Sequence, residues 1–302
     1  MTQSKLMATL AFTAVLGVGS AGVGAASAAD FGARPYTKAP MFADPVFKNP
    51  AAYGTVAAWF GLCAYVVQIY CDFSGYSDMA VGLGHALGYK LPQNFRMPYL
   101  AANIAQFWSR WHISLTSWLR DYLYIPLGGN SGPRWRAALN VVITMTLCGL
   151  WHGAQWTFVV FGLAHSTLLI GHRIFQVSCQ RYPVLNSLLS NPLGTVARVA
   201  VTLFAFAATL VLFRCPDFHV ATVMFSRLIA FSPGLTFPQS LSIFWWLIAT
   251  VILGHIFAKS GLWDWLWRRT PAFAQGFAYA TAFSIGLTLA PDAGRAFIYF
   301  QF

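Results

Sequence analysis

The sequence has little charge and no glutamate. Only 9% of its 302 residues are charged, and all 8 acidic residues are Asp, whereas an ordinary soluble domain carries about 25% charged residues. A soluble core of this length needs a charged shell, and so few charges cannot make one. Metal-binding patterns are missing too. The five cysteines (Cys63, Cys71, Cys148, Cys179 and Cys215) form no CxxC pair, and neither HxxxH nor HExxH occurs, so no metal site is expected. The cysteines read as small hydrophobes packed in a helix bundle. Ser74-Gly75 lacks the preceding glycine of a GxSxG nucleophile elbow. No segment alternates apolar and polar residues as membrane β-strands do. No internal repeat or low-complexity tract is present.

What the chain does have is apolar length. The hydrophobic fraction is 57%, and residues 49–71, 137–172 and 270–291 contain no Asp, Glu, Lys or Arg. A bilayer crossing takes about 20 apolar residues, and backbone amides in hydrocarbon must pair internally, which favours helices. The expected fold is therefore all-α, a polytopic integral membrane helical bundle. The formal charge of +11 would suggest nucleic acid in a soluble protein. Here the basic residues sit between apolar runs, as in loops that face the cytoplasm and anionic lipid, and no RNA- or DNA-binding signature accompanies them. The lipid bilayer, not nucleic acid, is the expected partner.

Along the chain, residues 1–29 read as a signal-peptide-like leader or a first membrane helix: Lys5, an apolar stretch, then Ala25 to Ala29 before Asp30. Residues 30–48, with Pro35, Pro40 and Pro45, read as an extended linker. One membrane domain is expected over 49–302. Its first span is 49–71, and the Gly-rich stretch 75–88 reads as too short and small-residued to span alone. From Lys90 to Arg136, six basic residues opposed by Asp121 alone are interleaved with aromatics, predicting amphipathic or re-entrant helices at the interface. Spans follow near 137–151, 154–172, 194–213, 239–258 and 271–290, with a short surface helix over 218–228.

Ionisable side chains inside apolar segments are costly and become functional candidates. Of seven histidines, His85, His165, His172, His219 and His255 read as hydrogen-bonded packing residues. His152 stands in Gly149-Leu150-Trp151-His152-Gly153, in the middle of the 36-residue uncharged run. The flanking glycines allow a close backbone approach or a helix break, and burial keeps an imidazole neutral and able to accept a hydroxyl proton. A structural histidine bonded to a neighbouring helix is the competing reading. His112 lies in Phe107-Trp108-Ser109-Arg110-Trp111-His112-Ile113-Ser114-Leu115. On a helix it shares a face with Trp108 and Ser109, and an interfacial aromatic anchor with a snorkelling Arg110 is the alternative.

Taken in order, several stretches resemble the membrane-bound O-acyltransferase superfamily, in its bacterial alginate O-acetyltransferase-like branch. They are Ala43 to Phe47, Asp72-Phe73-Ser74-Gly75-Tyr76-Ser77-Asp78-Met79-Ala80, Leu91-Pro92-Gln93-Asn94-Phe95, Phe107 to Trp118, Arg120 to Asn130, Gly149 to Gly153 and Phe297 to Phe302. Cys71 and Ser109 depart from that pattern, standing where a Phe and an Arg are usual.

The resemblance implies that His152 and His112 are the catalytic pair. It makes Trp151, Trp111, Trp108, Arg110, Asp121, Asp72 and Asp78 channel-lining or supporting residues, with no metal. It further implies a multi-pass protein of the bacterial cytoplasmic (inner) membrane. Such a protein moves an acetyl group from a cytoplasmic donor, acetyl-CoA, with no bound cofactor. The acceptor is a cell-surface polysaccharide hydroxyl or one of the periplasmic polysaccharide-acetylation proteins. D-alanyl transfer to a teichoic-acid-type acceptor and an inactive remnant or scaffold are the alternatives. Family members carry several helices before the point of resemblance, so the chain is expected to correspond to the C-terminal part of the family fold.

Overall fold

The computed structural model describes residues 44–236 and 241–289. The leader over 1–29, most of the 30–48 linker and the closing stretch 297–302 lie outside the described residues. Among those described there are twelve α-helical segments and no strand, only an isolated bridge between Tyr53 and Leu235. The all-α expectation holds. In chain order the helices are α1 (Asp44–Lys48), α2 (Thr55–Ala86), α3 (Ile104–Trp108), α4 (Ile113–Leu119), α5 (Arg134–His152), α6 (Trp156–Arg181), α7 (Pro183–Ser190), α8 (Pro192–Arg214), α9 (Phe218–Ile229), α10 (Leu241–Ser260), α11 (Leu262–Arg269) and α12 (Ala272–Leu289).

Three of these, α2, α6 and α8, are long and apolar enough to cross a bilayer, which makes this a membrane protein. Helix α2 corrects the reading of the first span. It starts at Thr55, not Asn49, and runs without a break through residues 75–88 as far as Ala86. Gly75, Ser77, Gly82 and Gly84 do not end the helix, since backbone amides in hydrocarbon must stay paired within it; the chain leaves it only at Leu87 and at Gly88, whose φ is 83°. At 1.5 Å per residue its 32 residues extend about 48 Å, well beyond a hydrocarbon core of about 30 Å. The end of the expected linker is also helical, as α1.

The chain divides into two compact units. Among the described residues, one comprises 44–66 with 92–236 and 241–255; the other comprises 67–91 and 256–289. In the first unit, α5 and α6 form a hairpin across a three-residue break, Gly153-Ala154-Gln155. Its register is fixed by glycine. A Cβ on Gly149 would stand 2.1 Å from the Phe158 carbonyl oxygen, and one on Gly162 would stand 2.2 Å from that of Met145. Two backbones can touch this closely only where no side chain intervenes. Helix α8 lies beside α6, and α9 closes on the start of the unit. There the Trp59 indole donates to Leu228 O (3.0 Å), Arg227 to Ala51 O (2.7 Å) and the Thr55 hydroxyl to Ala230 O (2.9 Å).

In the second unit, α11 and α12 are joined through Trp267, whose ring lies 5.2 Å from that of Tyr279 and whose carbonyl accepts from Gln275 at 2.9 Å. Arg269 covers the Trp265 ring at 4.2 Å. The C-terminal half of α2 belongs to this unit and carries Asp72 and Asp78.

Candidate functional site

The segment between α3 and α4 is where the structure departs most from the expected helix. Asn103 caps α3 by accepting from Gln106 N at 2.8 Å. The helix stops at Trp108, and the chain turns through Ser109, Arg110 and Trp111 to His112, which has φ 44° and ψ 53°. His112 therefore does not share a helical face with Trp108 and Ser109, because the helix ends after Trp108 and His112 itself is left-handed. A non-glycine residue in that region is held there by its surroundings. The holding contacts come from the Leu91 to Phe95 stretch and its successor. Arg96 N donates to Arg110 O (2.9 Å) and Ile113 N to Asn94 O (3.0 Å). Asn94 Oδ1 accepts both Ser114 N (3.1 Å) and the Ser114 hydroxyl (2.8 Å). Arg96 thus holds the side before His112 and Asn94 the side after it, a role their sequence motif did not announce.

The buried His112 ring stands T-shaped to Trp151 at 6.0 Å between centroids, and Trp151 stands T-shaped to His152 at 4.9 Å. One indole therefore contacts both imidazoles, although the two histidines stand 40 positions apart. His152 is the last residue of α5. Gly153 ends that helix in extended backbone, its amide returning to Leu150 O at 3.1 Å. Around the His152 ring stand Phe158 (6.4 Å), Phe161 (6.3 Å) and Phe213 (5.0 Å). The first two come from α6 and the third from the last turn of α8. Trp151 is 55% exposed, so the group reaches the surface of its unit. Burial pushes the His112 imidazole down from its ordinary value to about 4, because a low-dielectric setting disfavours the cation. At neutral pH it is an uncharged ring that can accept a proton or a hydrogen bond.

The other candidates are placed variously. Trp108 and Trp111 are buried in an aromatic core with Phe107 and Phe206; Trp111 lies 5.5 Å from Phe107 and 5.3 Å from Phe206. Arg110 reaches Met97 O at 3.4 Å. Asp121 is exposed in a π-helical turn (Arg120–Tyr124), paired in two-pronged fashion with Arg120 at 2.7 and 3.0 Å. That hydrogen-bonded guanidinium holds its carboxyl below the usual range. Asp72 and Asp78 belong to the other unit. Two residues that were read as packing, or not singled out, border the His152 cage. His165 lies 4.5 Å from Phe161, and Thr209 lies 3.0 Å from His165 Nε2. Phe213 was likewise not singled out, since nothing in its local sequence marks a contact with a residue 61 positions earlier. Among the described residues, no three His, Cys or Asp side chains converge as a bound metal requires.

The family model of MBOAT, membrane-bound O-acyltransferase family, matches residues 41–215. The probable alginate O-acetylase AlgI of Azotobacter vinelandii is 41% identical over 206 residues, covering 66% of this chain and 38% of that protein. The peptidoglycan O-acetyltransferase of Helicobacter pylori is 45% identical over 127 residues, 42% of this chain and 24% of that protein. The teichoic acid D-alanyltransferase of Bacillus subtilis is 30% identical over 162 residues, 51% and 40% respectively. The matched part of this chain thus spans well under half the length of each of these relatives.

Proposed function

This chain belongs to the membrane-bound O-acyltransferase family, and from that premise we propose that it carries the acyl-transfer centre of an O-acetyltransferase for a cell-envelope polysaccharide. The observation that carries the reading is the T-shaped contact of His112 and His152 with the single Trp151 ring. Two relatives are named for acetyl transfer to alginate and to peptidoglycan, which favours a polysaccharide acceptor.

An acetyl thioester is already activated, so the protein must deprotonate the acceptor hydroxyl and place it against the acyl carbon. His152 is the general base: its ring takes the hydroxyl proton inside a cage of aromatic side chains that limits access of water. The oxygen attacks the acyl carbon, the thiolate leaves, and the proton passes to the leaving sulfur. His112, neutral and held by the Asn94 clamp, orients the acyl group or shares the proton transfer. Acetyl-CoA is the donor, reached from the cytoplasmic side of a bacterial inner membrane that the chain crosses more than once. The acceptor is a sugar hydroxyl or a periplasmic acetylation protein on the far side. Trp151 and Arg110 line or support the path.

The test is mass spectrometry of ester-linked groups on the envelope polysaccharide of cells expressing the wild-type chain, His152→Ala or His112→Ala. Acetate should be lost from both variants while the protein stays in the membrane fraction. Undiminished acetate from well-expressed His152→Ala sinks the assignment. The Bacillus subtilis relative supports a second reading, D-alanyl transfer to a teichoic-acid-type acceptor. The same spectra separate the two, since D-alanine replaces acetate in that case.

A further inference from the structure

A second set of buried polar atoms adjoins the cage, and the acyl-transfer chemistry does not use it. His165 is fully buried on α6, one turn after Phe161, and its ring lies 5.0 Å from that of Trp108 at an interplanar angle of 77°. Thr209 Oγ1 stands 3.0 Å from His165 Nε2 and 2.7 Å from Phe206 O. A hydroxyl has one proton, and a carbonyl oxygen can only accept. Thr209 therefore donates to Phe206 O and accepts from His165 Nε2–H. This sets the tautomer: the ring proton is on Nε2, and Nδ1 carries a lone pair.

That Nδ1 has no hydrogen-bond partner among the described residues, and neither has the indole Nε1–H of Trp108. One is an acceptor and the other a donor, both are out of solvent, and their rings are neighbours. Buried polar atoms in folded proteins are satisfied by protein or by ordered water. A single water would satisfy this complementary pair, its oxygen accepting from the indole while one of its hydrogens is donated to the imidazole. A purely apolar filling would leave both atoms unmet.

We infer that Trp108 and His165 hold one ordered water molecule beside Phe161, whose ring also faces His152 at 6.3 Å. The site is independent of whether the chain transfers acyl groups, and its test needs no turnover. A structure of the full chain in lipid nanodiscs, at a resolution that shows ordered waters, should place a peak about 3 Å from both Trp108 Nε1 and His165 Nδ1. The peak should vanish in Trp108→Phe, which keeps an aromatic ring and removes the donor. Nitrogen-15 spectra of histidine-labelled wild-type protein should report His165 as the Nε2–H tautomer with Nδ1 accepting a hydrogen bond; this readout does not depend on the variant folding. The inference is overturned by a map that shows waters elsewhere but none here, by a direct bond from the indole to Nδ1, or by an Nδ1–H tautomer.

Discussion

The crossing of α5 and α6 can be tested with two glycines on one helix. Gly162→Ala adds a Cβ at 2.2 Å from Met145 O and 2.9 Å from Thr146 Cα. Both are backbone atoms and cannot rotate aside, so the helices must separate by roughly 1 Å to restore ordinary contact. Overpacking of this kind costs about 1–3 kcal/mol, and a clash with backbone belongs near the top of that range. Alanine returns about 1 kcal/mol through helix propensity, leaving a net loss of about 2 kcal/mol. At roughly 2–4 °C per kcal/mol, the midpoint of thermal unfolding should fall by about 4–8 °C. Gly171, on the same helix, has nothing within 4 Å of its would-be Cβ, so Gly171→Ala should leave the midpoint unchanged or raise it slightly. The assay is thermal unfolding of detergent-solubilised protein, followed by intrinsic Trp fluorescence. Equal midpoints for the two variants would refute the close approach of these backbones, and with it the placement of His152 one turn beyond Gly149.

Two further expectations concern the His112 turn. Asn94→Ala removes two hydrogen bonds accepted by one side-chain oxygen, a loss of about 1–3 kcal/mol. Acetyl ester yield should fall at least tenfold as the imidazole loses its position, while a variant with full yield would show that the clamp is dispensable. The second expectation is a pH dependence of stability. His112 is pushed from an ordinary value of 6.5 down to about 4 by burial, so as pH falls the unfolded chain binds its proton first. The stabilisation is complete above about pH 6.5 and is lost on descending toward pH 4, a change of about 3 kcal/mol. His112→Gln should flatten the fall in unfolding midpoint between pH 7 and 4.5; parallel curves for the two proteins would contradict it.

The spanning helices were legible because hydropathy and length are local properties, and the ends of α5, α6, α8 and α9 fall within a few residues of expectation except at the C-terminus of α6. Residues 75–88 do not span alone; as far as Ala86 they continue α2, which was not legible because glycine and serine count against a helix in water, whereas in hydrocarbon an unbroken helix keeps its amides paired. The turn at His112 was not legible for a different reason. Ser109-Arg110-Trp111-His112 contains neither glycine nor proline, and its left-handed residue is imposed by Asn94 and Arg96 from outside the segment. His165 looked like any lone helical histidine, since its partner Thr209 lies 44 positions away. Tertiary contacts of that range leave no local trace.

The pentapeptide Gly149 to Gly153 shows why a short motif can nonetheless mark a site. Gly149 must lack a side chain so that α5 can touch the backbone of α6 at Phe158. That contact brings Phe158 and Phe161 to the His152 ring. Trp151 must precede His152 to present one indole to both histidines. Gly153 must follow, because a Cβ there would stand 2.6 Å from the Phe158 ring, which is itself a wall of the cage. Four of the five positions are thus constrained by specific contacts, while Leu150, 43% exposed, meets none of these demands. Substitution at Leu150 by another apolar residue should therefore be tolerated where the four others are not. That contrast separates a site built by converging contacts from a stretch that is merely hydrophobic.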